Sequence, residues 1–338
     1  MQRRWRLWPL LAALGVAARA SHPAWGQAAP DMAWALAEPG SAALGASSLA
    51  GLAEPWGLSL PAGPDSGWTW PAGVRSSARL AAGAGGGIAG GLSLEQWWQA
   101  LQQAARTGTP LPAQDGVASF AVTWRAGPSA AQLRAYALLQ GPAADRQALA
   151  GMELRWATAY PWRLGRWHGT WGSGLRLFSR LQAAQAGANP VQAAQQAGFG
   201  WDLGARLELS SSLQLACAAW ELAGAAQQTP AGSATPSAYL WLGRPSQAAC
   251  GLALDLAPLP VRTLAEWRSG NHWSVGLEQA AFGGAARIRA GYLRQDAGRR
   301  WATAGLRLGL APLQLELAVA VPAHGEPLLA SAGLQLEL

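Results

Sequence analysis

The stretch "LQLELAVAV", Leu313 to Val321, places a leucine or a valine at every odd position. The even positions hold a glutamine, a glutamate and two alanines. This period of two predicts a β-strand with one apolar face and one mixed face. In a soluble β-sandwich the leucines would pack into a core and Glu316 would face water. In an outer-membrane barrel the leucines would contact lipid and Glu316 would face the lumen.

Composition narrows the class of protein. The chain has 338 residues, of which 50% are hydrophobic and 13% are charged, and this length suits one large domain or two smaller ones. The net charge is +7 and every basic residue is an arginine. Because these arginines form no cluster beyond the N-terminus, the sequence does not predict nucleic-acid binding. No internal run of apolar residues is long enough to predict a membrane-spanning helix.

The N-terminus has the pattern of a secretion signal. A basic segment, "MQRRWR", precedes the apolar segment "LWPLLAALGVAA", and the small-residue sites "ARA" and "GQA" follow. This order predicts a cleaved signal peptide over residues 1–28 and an exported protein. Residues 29–55 form a small-residue-rich N-terminal segment, for which a plug inside a barrel is a hypothesis. The barrel itself is predicted over residues 56–338.

From Trp56 onward the chain is a succession of alternating segments. Examples are "GMELRWATAY" from Gly151, "WDLGARLEL" from Trp201 and "ATAGLRLGL" from Ala302. Gly, Pro, Asp and Ser separate about 14 such segments, which is typical of antiparallel hairpins. Two interruptions, residues 93–108 and 181–198, are predicted to be loops or short helices outside the sheet.

Several features favour a barrel over a secreted sandwich, which stays open as an alternative. Many segments have 9–11 residues, the length that a tilted strand needs to cross a bilayer. The chain has 20 tryptophans, and tryptophan concentrates at membrane interfaces. The aromatic-girdle candidates near segment ends are Trp201, Trp220, Trp273 and Trp301. The fold prediction is an all-β, single antiparallel up-and-down transmembrane β-barrel of about 14 strands (12–16), whose last strand stops at Leu338.

The charged residues of these segments fall on the mixed face, where a lumen accommodates them and lipid would not. The lumen-facing polar candidates are Asp202, Arg206, Glu208, Asp255, Arg287, Arg289, Arg307 and Glu316. Two interpretations stay open for them. They form either a structural network of charge pairs or a polar path that a solute contacts.

Other chemistry has weak support in the sequence. His272 and Ser274 in "NHWSVGLE" have the spacing of a barrel hydrolase dyad. Trp273, Val275 and Leu277 are the apolar residues that alternate with them, which predicts that the His272 and Ser274 side chains point into the lumen. Catalysis on lipid is therefore a remote alternative. Cys217 and Cys250 are separated by the segment "SAYLWLGR". If that segment is a strand between theirs, the two thiols are too far apart to bond and stay free.

Two regions resemble the PorV/PorQ family of outer-membrane proteins, relatives in architecture of the FadL-type barrels. "ALGASSLAGLAE" (Ala43 to Glu54), with "LPAG" after it, is similar to the start of that family's mature chains. "GFGWDLGARLEL" from Gly198 and the run from Val275 to Ala320 resemble its C-terminal strands. The resemblance implies a barrel of about 14 strands and, for characterised members, a role in type IX protein secretion.

The predicted function is therefore that of a non-enzymatic outer-membrane barrel, with a protein-export component as the first interpretation. The alternative is a FadL-like or porin-like uptake channel for a hydrophobic or small solute. Expected partners are outer-membrane lipid and, for an exporter, secreted proteins or secretion-system subunits. No cofactor or metal site is predicted.

Overall fold

A computed structural model describes most of the chain between Arg75 and Glu337. Outside the description lie residues 1–74 and 338, and the connections at 86–98, 100–101, 105, 112–115, 127–128, 141–144, 166, 187–188, 190, 231–234, 243–246, 270–271, 295–299, 311 and 324–328. The predicted signal peptide and N-terminal segment therefore lie outside the described residues, as does Leu338.

The described residues are almost entirely antiparallel strands of one sheet. The strands are β1 (Arg75–Gly85), β2 (Gly116–Ala126), β3 (Ser129–Gln140), β4 (Asp145–Leu164), β5 (Trp167–Ala186), β6 (Gln192–Glu208), β7 (Leu213–Pro230), β8 (Ser237–Leu242), β9 (Gln247–Asp255), β10 (Val261–Arg268), β11 (His272–Ala281), β12 (Ala286–Arg294), β13 (Arg300–Leu310), β14 (Leu313–Pro322) and β15 (Leu329–Glu337). A single 3-10 turn, Phe282–Gly284, joins β11 to β12.

Strand pairing follows chain order around the sheet. Each strand from β1 to β7 pairs with the next, β7 also pairs with β9, and each strand from β9 to β14 pairs with the next. β1 pairs with β15, so the first and last described strands are neighbours. This is the up-and-down barrel that the alternating segments predict, because hairpin-connected strands that return to the first strand leave few free edges.

β8 and β9 occupy one strand position. β8 pairs with Ala223–Gln228 of β7, and β9 pairs with Leu213–Trp220 of the same strand. The two segments follow each other down β7, with residues 243–246 between them. The barrel wall therefore has 14 strand positions, and the predicted number of about 14 is confirmed.

This arrangement corrects the prediction of two free thiols. Cys217 and Cys250 are direct register partners on β7 and β9, their Cα atoms are 4.1 Å apart, and they form a disulfide. "SAYLWL" does form a strand, but it lies above β9 along β7 and does not separate the two cysteines. The error came from counting β8 as a full neighbour of β7.

The disulfide leads to a labelling prediction. Denatured protein is expected to react with no maleimide before reduction and with two after it, as read by mass spectrometry. The Cys217→Ser variant is the control and should carry one label under both conditions. Two labels on unreduced wild-type protein would restore the free-thiol interpretation.

The wall is taller on one side. β4 and β5 have 20 residues each, and β6 and β7 have 17 and 18. The strands from β9 to β14 have 8–11, close to the span of a tilted transmembrane strand. Short connections join the strands at one end, the short-turn end, where β1 begins and β15 stops. On the β7 side the extra length lies at the opposite, long-loop end, because β9 pairs only with Leu213–Trp220 of β7. On the β3 side β4 also passes the start of β3 by residues 159–164 at the short-turn end.

The prediction of a helix or loop over residues 181–198 is wrong for most of that segment. β5 continues to Ala186 and β6 begins at Gln192, so most of this segment belongs to the sheet. The alanines and glutamines of this segment favour helix when considered alone. Continuous pairing with the neighbouring strands provides the backbone hydrogen bonds instead, so tertiary context overrides local propensity.

The other predicted interruption is helical where it is described, at Gln99 and over residues 102–104 and 106–107. Ala104 and Leu111 pack in an apolar cluster with Leu139 of β3 and alanines of β3, β4 and β5. The Leu111 N–H also donates to the Gln185 Oε1 atom at 2.8 Å. Through this cluster, Ala104 and Leu111, which lie between β1 and β2 in the chain, cover part of β3, β4 and β5. No described helix is long and apolar enough to cross a membrane.

The two faces of the wall differ sharply in chemistry. On β14, Leu313, Leu315, Leu317 and Val321 are 36–47% exposed, whereas Glu316 is 3% exposed. On β4, Met152, Leu154 and Trp156 are exposed, and the alternating Glu153 and Arg155 are buried. An apolar outside around a charged inside is the pattern of a barrel in lipid. A soluble protein of this kind would place these leucines in its core.

Candidate functional site in the charged interior

The inner face of the wall carries two networks of paired charges. The first, the β4–β7 network, consists of Glu153, Arg155, Arg176, Asp202 and Glu221, all of them buried. The Arg155 Nε atom donates to Glu153 Oε2 at 2.8 Å, and the Tyr136 hydroxyl donates to Glu153 Oε1 at 3.0 Å. Burial of these ions is compensated because each has an opposite charge within reach.

Arg176 lies at the centre of this network. Its Nη2 atom is 3.0 Å from Asp202 Oδ2, and its Nη1 atom is 3.4 Å from Glu221 Oε1. Arg180 adds a longer contact to the same Glu221 oxygen at 3.6 Å. One guanidinium thus connects β5 to β6 and β7, since its planar fork can contact two carboxylates at once.

The β6–β7 ladder is irregular beside this network. The register shifts between Trp201 and Leu203, so that Asp202 has no single partner on β7. Glu221 has a positive φ of 51°, a conformation that costs a non-glycine residue energy. Its N–H donates to Asp202 Oδ1 at 2.7 Å, and its carbonyl accepts from Trp241 Nε1 at 2.7 Å. These bonds hold the bulge that directs Glu221 inward.

The second network, the β11–β14 network, consists of Glu278, Arg287, Arg289, Arg307 and Glu316. Arg289 Nε donates to Glu278 Oε2 at 2.7 Å, and its Nη1 donates to Glu316 Oε1 at 3.2 Å. Arg287 Nη1 donates to the other Glu278 oxygen at 3.0 Å. The network therefore connects four consecutive strands.

Gly305 explains how Arg289 reaches a strand two positions away. Gly305 on β13 is the register partner of Arg289 on β12. It is also the partner of Ala318 on β14, the inner-face residue that follows Glu316. Because a glycine and an alanine leave little side chain in between, the long arginine can cross β13 to Glu316.

Smaller ion pairs lie at the short-turn end. Arg206 Nη2 is 3.5 Å from Glu208 and donates to Gln214 at 2.8 Å. Arg262 and Asp255 are register partners and make two contacts, at 2.5 and 3.0 Å. The glutamate and the aspartate are about one-third exposed, so screening weakens these pairs relative to the buried networks.

The structure places the eight predicted polar residues in three groups. Asp202 belongs to the β4–β7 network, and Arg206, Glu208 and Asp255 belong to the short-turn-end pairs. Arg287, Arg289, Arg307 and Glu316 lie together in the β11–β14 network. Five charged members of the two networks were not among the predicted residues, namely Glu153, Arg155, Arg176, Glu221 and Glu278. Four of these five residues, all except Glu221, alternate with apolar residues along their strands. This period of two could have identified them from the sequence.

The tryptophan candidates divide between the two faces. Trp201 and Trp273 are exposed on the outer face, and Trp273 lies 5.4 Å from Tyr292 between ring centroids. Trp220 is half-buried beside the β6–β7 irregularity. Trp301 departs from the girdle prediction, because it is 4% exposed and alternates in phase with Thr303 and Arg307 of the inner face. Its position at a strand end suggested an interface, but its phase directs it inward.

Aromatic pairs occur at both ends of the outer face. Tyr160 and Trp171 stack near the short-turn end, with ring centroids 4.7 Å apart. Trp273 and Tyr292 lie near the long-loop end of β11 and β12. Exposed aromatic pairs at these two ends are the arrangement that the girdle prediction describes, and the girdles stay a prediction.

His272 and Ser274 are both buried on the inner face, away from the apolar outer surface. A lipid substrate would have to reach them from that outer surface, so their placement gives no support to lipid hydrolysis. Among the described residues, no group of three or more His, Cys, Asp or Glu side chains could hold a metal ion.

Comparisons with known proteins match this geometry at the level of fold. No protein-family model and no curated protein sequence matches the chain. The structure is similar to the CymD monoaromatic hydrocarbon channel, with a TM-score of 0.54, 12% identity, and coverage of 88% of this chain and 96% of CymD. A deltaS2S3 mutant of the TodX monoaromatic hydrocarbon channel matches with a TM-score of 0.50 and 10% identity. The match covers 88% of this chain and 97% of the TodX mutant. The Pseudomonas putida toluene transporter TodX matches with a TM-score of 0.48 and 10% identity, over 88% of this chain and 96% of TodX.

The chain therefore has the fold of a transmembrane β-barrel of the kind seen in the CymD channel. At these identities the likeness extends to the fold alone. The resemblance to the PorV/PorQ family has no counterpart among these structures and stays a prediction from sequence.

Proposed function

We propose that the protein is an outer-membrane channel for passive uptake of a small hydrophobic or sparingly soluble organic molecule. The observation that carries the proposal is the structural match to CymD over 96% of that chain. A match of this extent covers a whole barrel wall instead of a shared hairpin. CymD and TodX are described as monoaromatic hydrocarbon channels, so molecules of that class are the first to test here.

The electrostatics of the wall are compatible with an uncharged solute. Most inner charges of the two networks contact an opposite charge on a neighbouring strand. A neutral molecule does not have to displace these contacts, whereas a charged one would compete for them. The apolar outer face, in turn, is compatible with residence in a membrane.

Uptake into outer-membrane vesicles tests the proposal. Vesicles from cells that express the chain should take up a radiolabelled monoaromatic hydrocarbon several-fold faster than vesicles from cells without it. A neutral sugar of similar mass should show a smaller gain, and an equal gain would indicate a general pore. Equal hydrocarbon uptake with and without the chain would contradict the channel proposal.

A matched pair of cysteine variants locates the path. Gln314→Cys places a thiol on the inner face, and Leu313→Cys places one beside it on the outer face. After reaction with a bulky thiol reagent, uptake is expected to fall several-fold for Gln314→Cys and to stay unchanged for Leu313→Cys. Mass spectrometry confirms that both sites react. Equal inhibition at both positions would argue against passage along the inner face.

A role in protein export is the competing proposal, and it rests on the PorV/PorQ resemblance. "GFGWDLGARLEL", which carries much of that resemblance, forms the second half of β6 and places Asp202 beside Arg176. An export component should be recovered with secreted proteins or secretion subunits after cross-linking in cells. Recovery of the barrel alone, together with hydrocarbon uptake, would favour the channel.

A further inference from the structure

We propose that the β11–β14 network binds a small oxyanion, either a carboxylate or a phosphate, between Arg287, Arg289 and Arg307. The site lies on the inner face toward the short-turn end of the barrel. It is independent of whether the protein transports a neutral solute.

The first observation is a pair of like charges in register. Arg287 on β12 is the direct partner of Arg307 on β13. Like charges directly opposite on adjacent strands destabilise a sheet unless something neutralises them. Both side chains are about one-fifth exposed, at 21% and 20%, so a small ion can reach them.

The second observation is a buried nitrogen without a partner. Arg289 is 2% exposed, its Nε and Nη1 atoms bond to the two glutamates, and its Nη2 atom has no hydrogen-bond partner. A buried donor left unsatisfied costs about 1–3 kcal/mol, more when it is charged. An oxyanion oxygen at this nitrogen would remove that cost.

The third observation is the weak neutralisation of Arg307. Its Nε atom is 3.9 Å from Glu316 Oε1, beyond hydrogen-bond distance, and that oxygen already accepts from Arg289. The hydrogen bond that Arg307 makes goes to the neutral side chain of Gln314. The guanidinium therefore keeps donors for a further acceptor.

A further arginine lies beside the three. On β10, Arg262 is the register partner of Glu278 and also pairs with Asp255 of β9. The planar forks of guanidinium groups match the oxygens of carboxylates and phosphates in geometry.

Calorimetric titration of the purified full chain in detergent tests the site with two probes, sodium acetate and inorganic phosphate, at constant ionic strength in chloride. Wild-type protein is expected to bind at least one of them. Arg307→Gln should raise the Kd at least tenfold, and Arg307→Lys should weaken binding by less, because it keeps the charge but loses the fork. Arg294→Gln is the matched control, since it removes the same charge from the exposed end of β12.

Binding of both probes assigns an oxyanion site without further preference, and binding of one assigns a carboxylate or a phosphate site. Circular dichroism verifies that the variants fold, and Arg287→Gln provides a second test if Arg307→Gln does not. Absence of binding to wild-type protein, or equal affinity in Arg307→Gln, would overturn the proposal. Because no transport is measured, this failure is separate from a failure of the channel proposal.

Discussion

Replacing Glu316 with glutamine is expected to lower the free energy of unfolding by about 3–5 kcal/mol. Glu316 is buried and accepts from Arg289 at 3.2 Å, and Arg289 is itself buried. Removing one partner of a buried ion pair leaves the other charge without compensation in a medium that solvates it poorly. Chemical denaturation of the protein in lipid vesicles measures the loss.

Two further variants separate this effect from a general loss of charge. Glu208→Gln removes a glutamate whose side chain is 39% exposed and whose contact with Arg206 is 3.5 Å, so the loss should be at most about 1 kcal/mol. The double variant Arg289→Met with Glu316→Leu replaces both charges with apolar groups and should recover much of the stability. Equal losses for Glu316→Gln and Glu208→Gln would mean that the network does not stabilise the wall.

Replacing Leu317 with arginine is expected to cost about 2–4 kcal/mol in a bilayer. Leu317 lies in the middle of β14 on the exposed, apolar face, where a barrel strand contacts the centre of the membrane. The same change at Leu313, at the end of the strand, should cost about 0–1 kcal/mol, because an arginine there reaches the interface. Unfolding in vesicles of both variants gives the comparison.

A soluble sandwich makes a different prediction for this pair. There, both leucines would pack against a second sheet, and the penalty would follow burial instead of depth in the membrane. Similar costs at positions 313 and 317, or a cost that disappears in detergent-free buffer, would contradict the lipid-facing assignment.

The alternation in the sequence was sufficient to predict the wall. "LQLELAVAV" places Leu315 and Leu317 outside and Glu316 inside, and each strand with the same period behaves alike. The phase of a strand follows from local residue spacing, since successive side chains point to opposite faces. For the same reason Glu153 and Arg155, which alternate with exposed residues, could have been identified as inner-face residues from the sequence.

What the sequence could not supply was register across strands. The interruption between β8 and β9 places Cys250 opposite Cys217. No residue of "SAYLWL" signals that β8 pairs only with Ala223–Gln228 of β7 and leaves Leu213–Trp220 to β9. The contact between Arg289 and Glu316 depends on Gly305 lying between them, which is a property of three paired strands. Pairings of this kind join residues distant in sequence, and local propensity does not determine them.

Segment ends were a second source of error. Trp301 lies near the start of β13, where interfacial tryptophans often occur, yet it shares the phase of Arg307 and is buried. The position of a residue along a strand and the face on which it lies are separate signals. For Trp301, the face determined by the alternation is the one that the structure shows. The loop or short helix predicted over residues 181–198 failed for a related reason, because pairing with the neighbouring strands determines the length of β5 and β6.

Spin-label accessibility along β14 shows which face of the strand contacts lipid. Single cysteines at positions 313–321 carry a nitroxide in lipid vesicles, and the Cys217–Cys250 disulfide leaves each introduced cysteine as the only thiol. We expect high accessibility to membrane-dissolved oxygen at the odd positions and low accessibility at the even positions, with a period of two. The opposite phase, or no alternation in lipid, would contradict the assignment of the leucine face to the membrane and the glutamate face to the interior.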